Sequence, residues 1–133
     1  MKRLGLLGTA ATKGRRRHER RGRLSELLAA AVLSLKGYRI LDRRHRSRAG
    51  EIDLIAVRGQ RLAFVEVKLR PTMADAEMAT TARQAARMAR AAEQWVWRHP
   101  GFRNHRIGLD LLLCAPWRLP QHRVDALQST RAI

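Results

Sequence analysis

Three residues in the middle of the chain have the types and spacing for phosphoryl chemistry. The sequence holds only 11 Asp plus Glu, and Asp53, Glu66 and Lys68 fall inside apolar stretches, Glu51-Ile52-Asp53-Leu54-Ile55 and Phe64-Val65-Glu66-Val67-Lys68. A carboxylate in such a setting is costly unless a partner or a cation compensates it. Two carboxylates brought together repel, which becomes useful when a cation sits between them. A few hard oxygens with open positions for water and phosphate describe a Mg2+ or Mn2+ site. An ammonium on the same strand face as the second carboxylate can orient or help deprotonate an attacking water and offset charge on phosphorus. The same letters also fit an ordinary Glu66–Lys68 ion pair, with Asp53 supporting Arg61 or another cation. The paired apolar strands, with Asp53 on the matching face, favour the chemical reading.

Convergence depends on the elements that carry these residues. Glu51 to Val57 and Arg61 to Leu69 read as two strands joined by a tight turn containing Arg58-Gly59-Gln60, a β-hairpin. If Val57 pairs with Gln60, Asp53 stands opposite Phe64 and diagonal to Glu66; if Val57 pairs with Leu62, Asp53 stands directly opposite Glu66. Either register brings the carboxylates together, whereas an odd loop without a compensating bulge separates them.

The remaining elements are those of a mixed α/β sheet with covering helices. From about Arg20 to Lys36, Leu24, Leu27, Leu28, Ala31, Val32 and Leu35 recur at steps of three and four, predicting an amphipathic helix with that stripe against the core, closed by Gly37. Tyr38 to about Asp42 reads as a short strand, and Arg43 to Gly50 as a basic connector with Arg43, Arg44, His45, Arg46 and Arg48. Pro71 stops the second hairpin strand. A long Ala-rich helix follows from about Ala76 to Arg98. Ile107 to Ala115 is a strand buried on both faces, Pro116 to Pro120 a turn, and the last strand lies around Arg123 to Leu127. Residues 1–18 form a basic arm, and 19–133 a single domain. Of Trp95, Trp97 and Trp117, two are expected to pack in the core or on a helix; Trp97, two positions from Trp95, is the one expected at the surface.

Charge narrows the partner. The 28 Lys plus Arg give a formal net charge of +17, which self-repels unless a polyanion is near. Guanidinium groups grip phosphate oxygens in pairs and release condensed counterions, so nucleic acid ranks ahead of an acidic membrane surface. Cys114 is the lone cysteine, so no internal disulfide forms, and the His residues lack zinc spacing. Met1-Lys2-Arg3 and the stretch Leu4 to Ala11 imitate a signal start, but Gly5 and Gly8 interrupt it and a basic run follows, so a cytoplasmic location is expected. No stretch has the roughly 20 apolar residues that span a bilayer.

Gly50-Glu51-Ile52-Asp53-Leu54-Ile55-Ala56 followed by Phe64-Val65-Glu66-Val67-Lys68-Leu69-Arg70 resembles the signature of the YraN family, which itself resembles PD-(D/E)XK nucleases and archaeal Holliday junction resolvases. The likeness runs from about Gly22 to Leu127. It implies a restriction-endonuclease-like core in the order α-β-β-β-α-β-β, with a sheet of about five strands. It also implies that Asp53 and Glu66 bind the metal, that Lys68 is the catalytic lysine, and that Glu26 on the first helix is a further acidic group. DNA is the implied substrate, in branched or structured form, and a homodimer the implied assembly, since resolving a symmetric junction cuts two strands. Where the family carries a basic residue in its second helix this chain has Gln84, between Arg83 and Arg87; with Arg70 and the connector residues Arg43, Arg44, Arg46 and Arg48, these are the expected nucleic-acid contacts. Asp110 matches an acidic family position and equally fits a buried anchor for an Arg such as Arg106. The alternative to a nuclease is a non-catalytic nucleic-acid-binding module on the same fold.

Overall fold

The computed structural model describes residues 23–127, so the basic arm foreseen over 1–18 lies outside the described residues. The fold is built on a five-stranded sheet, β1 (Arg39–Ser47), β2 (Gly50–Arg58), β3 (Arg61–Leu69), β4 (Arg106–Cys114) and β5 (Gln121–Arg123), laid side by side in chain order. All neighbours run antiparallel except β3 and β4, which are parallel. A parallel pair needs a crossover, supplied by α2 (Met73–Met78) and α3 (Ala82–Arg98). The helix over residues 23–35, α1, precedes the sheet. This is the expected mixed α/β architecture with helices on both faces.

Alternation along the strands divides the apolar side chains between two cores. Ile55, Val57, Leu62, Phe64, Leu109, Leu111 and Leu113 pack with α2 and α3 around Trp95. Leu54, Ala56, Ala63, Val65, Leu112 and Cys114 pack with Ala29, Ala30 and Leu33 of α1. Phe64 meets Trp95 edge-on, with ring centroids 5.8 Å apart.

The helical periodicity of α1 holds, but the face against the sheet is offset from the apolar stripe, of which Val32 alone among the described packing residues meets the core. Leu24, Leu27, Leu28 and Leu35 are 47–89% exposed, while Ser25, Ala29, Ala30 and Leu33 face the sheet. Both faces repeat at helical spacing, and periodicity cannot choose between them. Small Ala side chains let the helix settle onto Ala56 and Ala63, a tertiary preference that hydrophobicity alone does not rank.

Three other boundaries differ from expectation. The basic connector is the second half of β1, because Arg43, His45, Arg46 and Ser47 pair with Leu54, Ile52, Glu51 and Gly50. The Ala-rich helix is two helices. Thr81 caps α3 in a capping box with Gln84, each side chain bonding the other's backbone amide (3.2 and 3.1 Å), and Thr72 accepts from the Asp75 amide to start α2. Finally, β5 ends at Arg123, and residues 124–127 form a turn.

At the end of the sheet where β3 and β4 begin, a buried polar bracket ties four elements together. Asp110, with no exposed surface, accepts two bonds from Arg61 (2.6 and 2.8 Å), one from His122 Nε2 (2.8 Å) and one from the Asp125 amide (2.8 Å). Burial pushes the Asp110 carboxyl up, but the bonds from Arg61, His122 and Asp125 outweigh it and hold it at about 2. Arg61 also donates to the Tyr38 hydroxyl and to the Asp125 carboxylate, and Lys36 meets His122 Nδ1. Asp110 thus anchors an arginine, as one of its two readings held, but the arginine is Arg61 and not Arg106.

Gly108 makes room for this bracket. A Cβ there would stand 2.2 Å from Arg61 Nη2 and 2.5 Å from its Cζ. Gly108→Ala is therefore expected to push the guanidinium off Asp110 and cost roughly 1–3 kcal/mol, seen as a lower urea midpoint with an unchanged slope. A midpoint equal to wild type would mean that Arg61 has another way to reach Asp110.

Candidate functional site

The hairpin register decides where the carboxylates fall. Arg58 pairs with Arg61, Val57 with Leu62 and Leu54 with Val65, closing around a two-residue turn at Gly59-Gln60 in which Gly59 has φ +58°. Of the two registers that unite Asp53 and Glu66, this is the one that sets them level. Regular pairing with β3 stops at Leu54, and Asp53 takes over: its Oδ2 accepts from the Val67 amide at 2.7 Å. Two residues along β3, Lys68 is 7% exposed, with its Nζ 3.1 Å from Glu66 Oε1. Asp53, Glu66 and Lys68 therefore meet at one end of the sheet. Among the described residues, these contacts engage Asp53 Oδ2 and Glu66 Oε1 but not Oδ1 or Oε2.

Asp53 and Glu66 open onto a cleft of about 360 Å3 lined also by Gly50, Glu51, Gln84, Arg87 and Met88. Burial, with Glu66 close by, pushes the Asp53 carboxyl up from 3.8 to about 7; the Val67 amide and Lys68 pull the other way without prevailing. Glu26 adds to the rise, so it lies within electrostatic reach, yet its Oε2 accepts from Arg44 Nε at 2.6 Å. Among the described residues no three of His, Cys, Asp and Glu form a metal-holding group. Asp53 and Glu66 stand together as a pair, and Glu26 is tied to Arg44 instead of completing a cage.

The ion-pair alternative is half present. Glu66 and Lys68 are paired, but Arg61 belongs to Asp110 at the other end of the strand, so Asp53 does not support it.

The expected nucleic-acid contacts are distributed around this end of the molecule. Arg43, Arg44, Arg46 and Arg48 are exposed on and just after β1, a sheet-edge strand whose second half lies beside Glu51 and Asp53. Arg44 has φ +52°, a left-handed conformation costly for a side-chain-bearing residue, and it is this residue that reaches Glu26. Across the cleft, Arg87 and Gln84 project from the first turns of α3; Arg83 is exposed but does not line the cleft. Arg70 is exposed at the end of β3, its Nη1 donating to the Leu69 carbonyl at 2.7 Å. Gln84 has a second role as the capping-box residue of α3, which a basic residue could not fill.

Glu51, Gly50 and Met88 were not foreseen as lining residues. Glu51 was visible as an acid two positions before Asp53, whereas Met88 reaches the cleft only through the packing of α3. The Trp expectation needs correction: Trp95 is buried and Trp97 exposed, but Trp117 is exposed as well, so only one of the three is core.

A mixed sheet in the order α-β-β-β-α-β-β, with two carboxylates and a lysine meeting beside a hairpin, defines an α/β protein of the class expected from its signature. The chain belongs to the UPF0102 family, which is the YraN family: the model described as Uncharacterised protein family UPF0102 matches residues 25–127. It is 51% identical over 114 residues to a UPF0102 protein of Maricaulis maris, covering 84% of this chain and 88% of the relative. It is 46% identical to one of Nitrobacter winogradskyi (82% and 92% covered) and 48% identical to one of Rhodopseudomonas palustris (80% and 83%). Among the described residues no helix is long and apolar enough to cross a membrane.

Proposed function

We propose that the chain is a metal-dependent phosphodiesterase acting on structured or branched DNA. The observation that carries this reading is that Asp53 and Glu66 line one cleft together with Arg87, with Lys68 buried behind it and paired to Glu66. The donor set fits a hard divalent cation: two half-buried carboxylates side by side, one of them already pushed toward the neutral form. Asp53 and Glu66 would hold Mg2+ or Mn2+, which when bound supplies Lewis-acid polarisation of a phosphoryl oxygen. Lys68, held by Glu66, orients the attacking water and offsets negative charge gathering on phosphorus. The arginines of β1 with Arg70, Arg83 and Arg87 neutralise the phosphates on either side, while Gln84 holds the entry of α3 in place. Glu26 keeps Arg44 oriented. Cutting both strands of a symmetric junction needs two copies of the site, so a homodimer belongs to the proposal.

The test is a cleavage screen of the full chain over duplex, flapped, single-stranded and four-way DNA and structured RNA, with Mg2+, Mn2+ or EDTA. Cation-dependent cutting of branched DNA is expected. Tight binding to every substrate with no cutting under any cation would instead support the non-catalytic module, a reading favoured by the close Glu66–Lys68 pair, in which each charge already satisfies the other.

The Asp53 shift gives a second handle. Because its folded value of about 7 lies above the ordinary 3.8, the folded state binds the proton more tightly. The stability this confers is complete below about 3.8 and is lost as pH rises through about 7. A cation between Asp53 and Glu66 offsets the ionised form, so Mg2+ is expected to raise the melting temperature more at about pH 8 than at about pH 5.5. Asp53→Asn should erase that difference. An equal Mg2+ effect at both pH values would count against Asp53 as a ligand.

A further inference from the structure

Among the described residues two tryptophans stand in solvent, and one of them lies at the end of the sheet that carries Glu66 and Lys68. Trp117 is 102% exposed, at the tip of the turn between β4 and β5, with Arg118 and Leu119 exposed beside it. Its φ is +63°, a conformation that glycine adopts freely and a bulky aromatic does not. The turn holds this strain by its own construction. Pro116 and Pro120 bracket the tip, the Arg118 amide donates to the buried Ala115 carbonyl at 3.3 Å, and the chain rejoins the sheet where Gln121 pairs with Leu113. A ring directed into water by a strained, proline-braced turn is a costly arrangement with no packing return, and strain of that kind gathers where a molecule is recognised.

Its position follows from the parallel register. Lys68 pairs with Leu113, Leu69 with Cys114, and the Arg70 amide donates to the Cys114 carbonyl at 3.1 Å. The turn therefore leaves the sheet at the same end as Glu66 and Lys68, beside exposed Arg70. Trp97 lies at the opposite end. The start of α3 lines the cleft, but its last turn, which carries Trp97, leads through the 3-10 turn Pro100–Phe102 to the start of β4, where the Arg106 amide donates to Gln60 of the hairpin turn.

We propose that Trp117 is a stacking hook for an unpaired base, placed to select DNA with a flap, gap or branch beside the cleft over continuous duplex. The proposal rests on the nucleic-acid part of the reading above and not on catalysis. The charge of the chain and the flanking Arg118 and Arg70 favour a polyanion, and an unpaired nucleotide is a polyanion that also offers a π-face to an aromatic ring. Paired bases keep their faces buried in the stack, so a lone exposed indole gains little from duplex.

Binding measured in EDTA tests this without any cleavage. By anisotropy of labelled oligonucleotides, Trp117→Ala should weaken flapped and single-stranded DNA by about 5- to 100-fold while duplex affinity stays within about twofold, and Trp117→Phe should restore most of the loss. Trp97→Ala should change none of these. In a Trp97→Phe background, which keeps the buried Trp95, single-stranded DNA should quench part of the tryptophan fluorescence, and adding Trp117→Phe should abolish that quenching. Equal weakening of duplex and flap by Trp117→Ala, or no weakening of either, overturns the hook; so does quenching by anionic phosphatidylserine vesicles and not by DNA, which would make the tip a membrane contact. Wild-type protein that binds no DNA at all overturns the nucleic-acid reading together with the hook, whereas selective binding without cutting in Mg2+ leaves the hook standing and removes only the phosphodiesterase.

Discussion

Lys68→Ala is expected to lower cation-dependent cleavage by about 10²–10³-fold, the usual cost of deleting one preorganised charge stabiliser, and Asp53→Asn to do at least as much through lost cation affinity. Both variants should still bind DNA if, as proposed, the grip on phosphate comes from exposed Arg43, Arg46, Arg48, Arg87 and their neighbours and not from the cleft floor. They should differ in one respect. Asp53→Asn removes a half-buried acid whose ionised form is disfavoured, so it should melt no lower than wild type at about pH 8, provided the amide keeps the Val67 hydrogen bond. Lys68→Ala leaves Glu66 without its partner on a partly buried strand and should be the less stable of the two. The measurement is single-turnover cleavage of a flapped substrate, run beside binding in EDTA and a melting curve. Cleavage that survives both substitutions would remove the site, and the source of the activity would have to be sought elsewhere.

The largest effect on stability is expected at the opposite end of the sheet. Arg61→Ala would leave Asp110, which has no exposed surface, without two of the four bonds that together outweigh its burial, and without its cation. Removing one partner of a buried ion pair costs about 3–5 kcal/mol. The same ledger predicts an asymmetry: replacing Arg61 and Asp110 together with Met and Leu should cost far less than either single change, since an apolar pair of similar size carries no desolvation penalty. His122 and the Asp125 amide would lose their acceptor in that double variant, which limits the recovery. Urea unfolding of the two single variants and the double variant measures the coupling. A loss below about 1 kcal/mol for Arg61→Ala would show that the bracket is decoration on a fold held by its two apolar cores.

How far the sequence could be read varied with the range of the interaction. The β2–β3 hairpin was legible because its information is local: alternating apolar residues, a turn at Gly59-Gln60, and carboxylates whose meeting depends only on loop parity. Two capping signals, Thr72 before Asp75 and Thr81 before Gln84, are also present in the letters and mark the two helix starts within the Ala-rich segment, where composition alone shows one helix. The extent of β1 was obscured by its charge. Arg43 to Ser47 reads as a basic connector because an edge strand can leave one row of side chains in solvent, so it need not alternate with apolar residues.

By itself, then, the sequence determined the two strands that bear the acids, the lysine on the same face as Glu66, the family, and a large excess of positive charge. Only the tertiary structure decided which face of α1 is inside, that Arg61 reaches Asp110 through the space left by Gly108, and that Trp117 shares an end of the sheet with Lys68 while Trp97 does not. The reason is physical. Turn parity, strand alternation and capping act over a few residues and are written in neighbouring letters, whereas helix-face choice, a salt bridge between residues 49 positions apart and the placing of a loop beside a cleft depend on how whole elements pack.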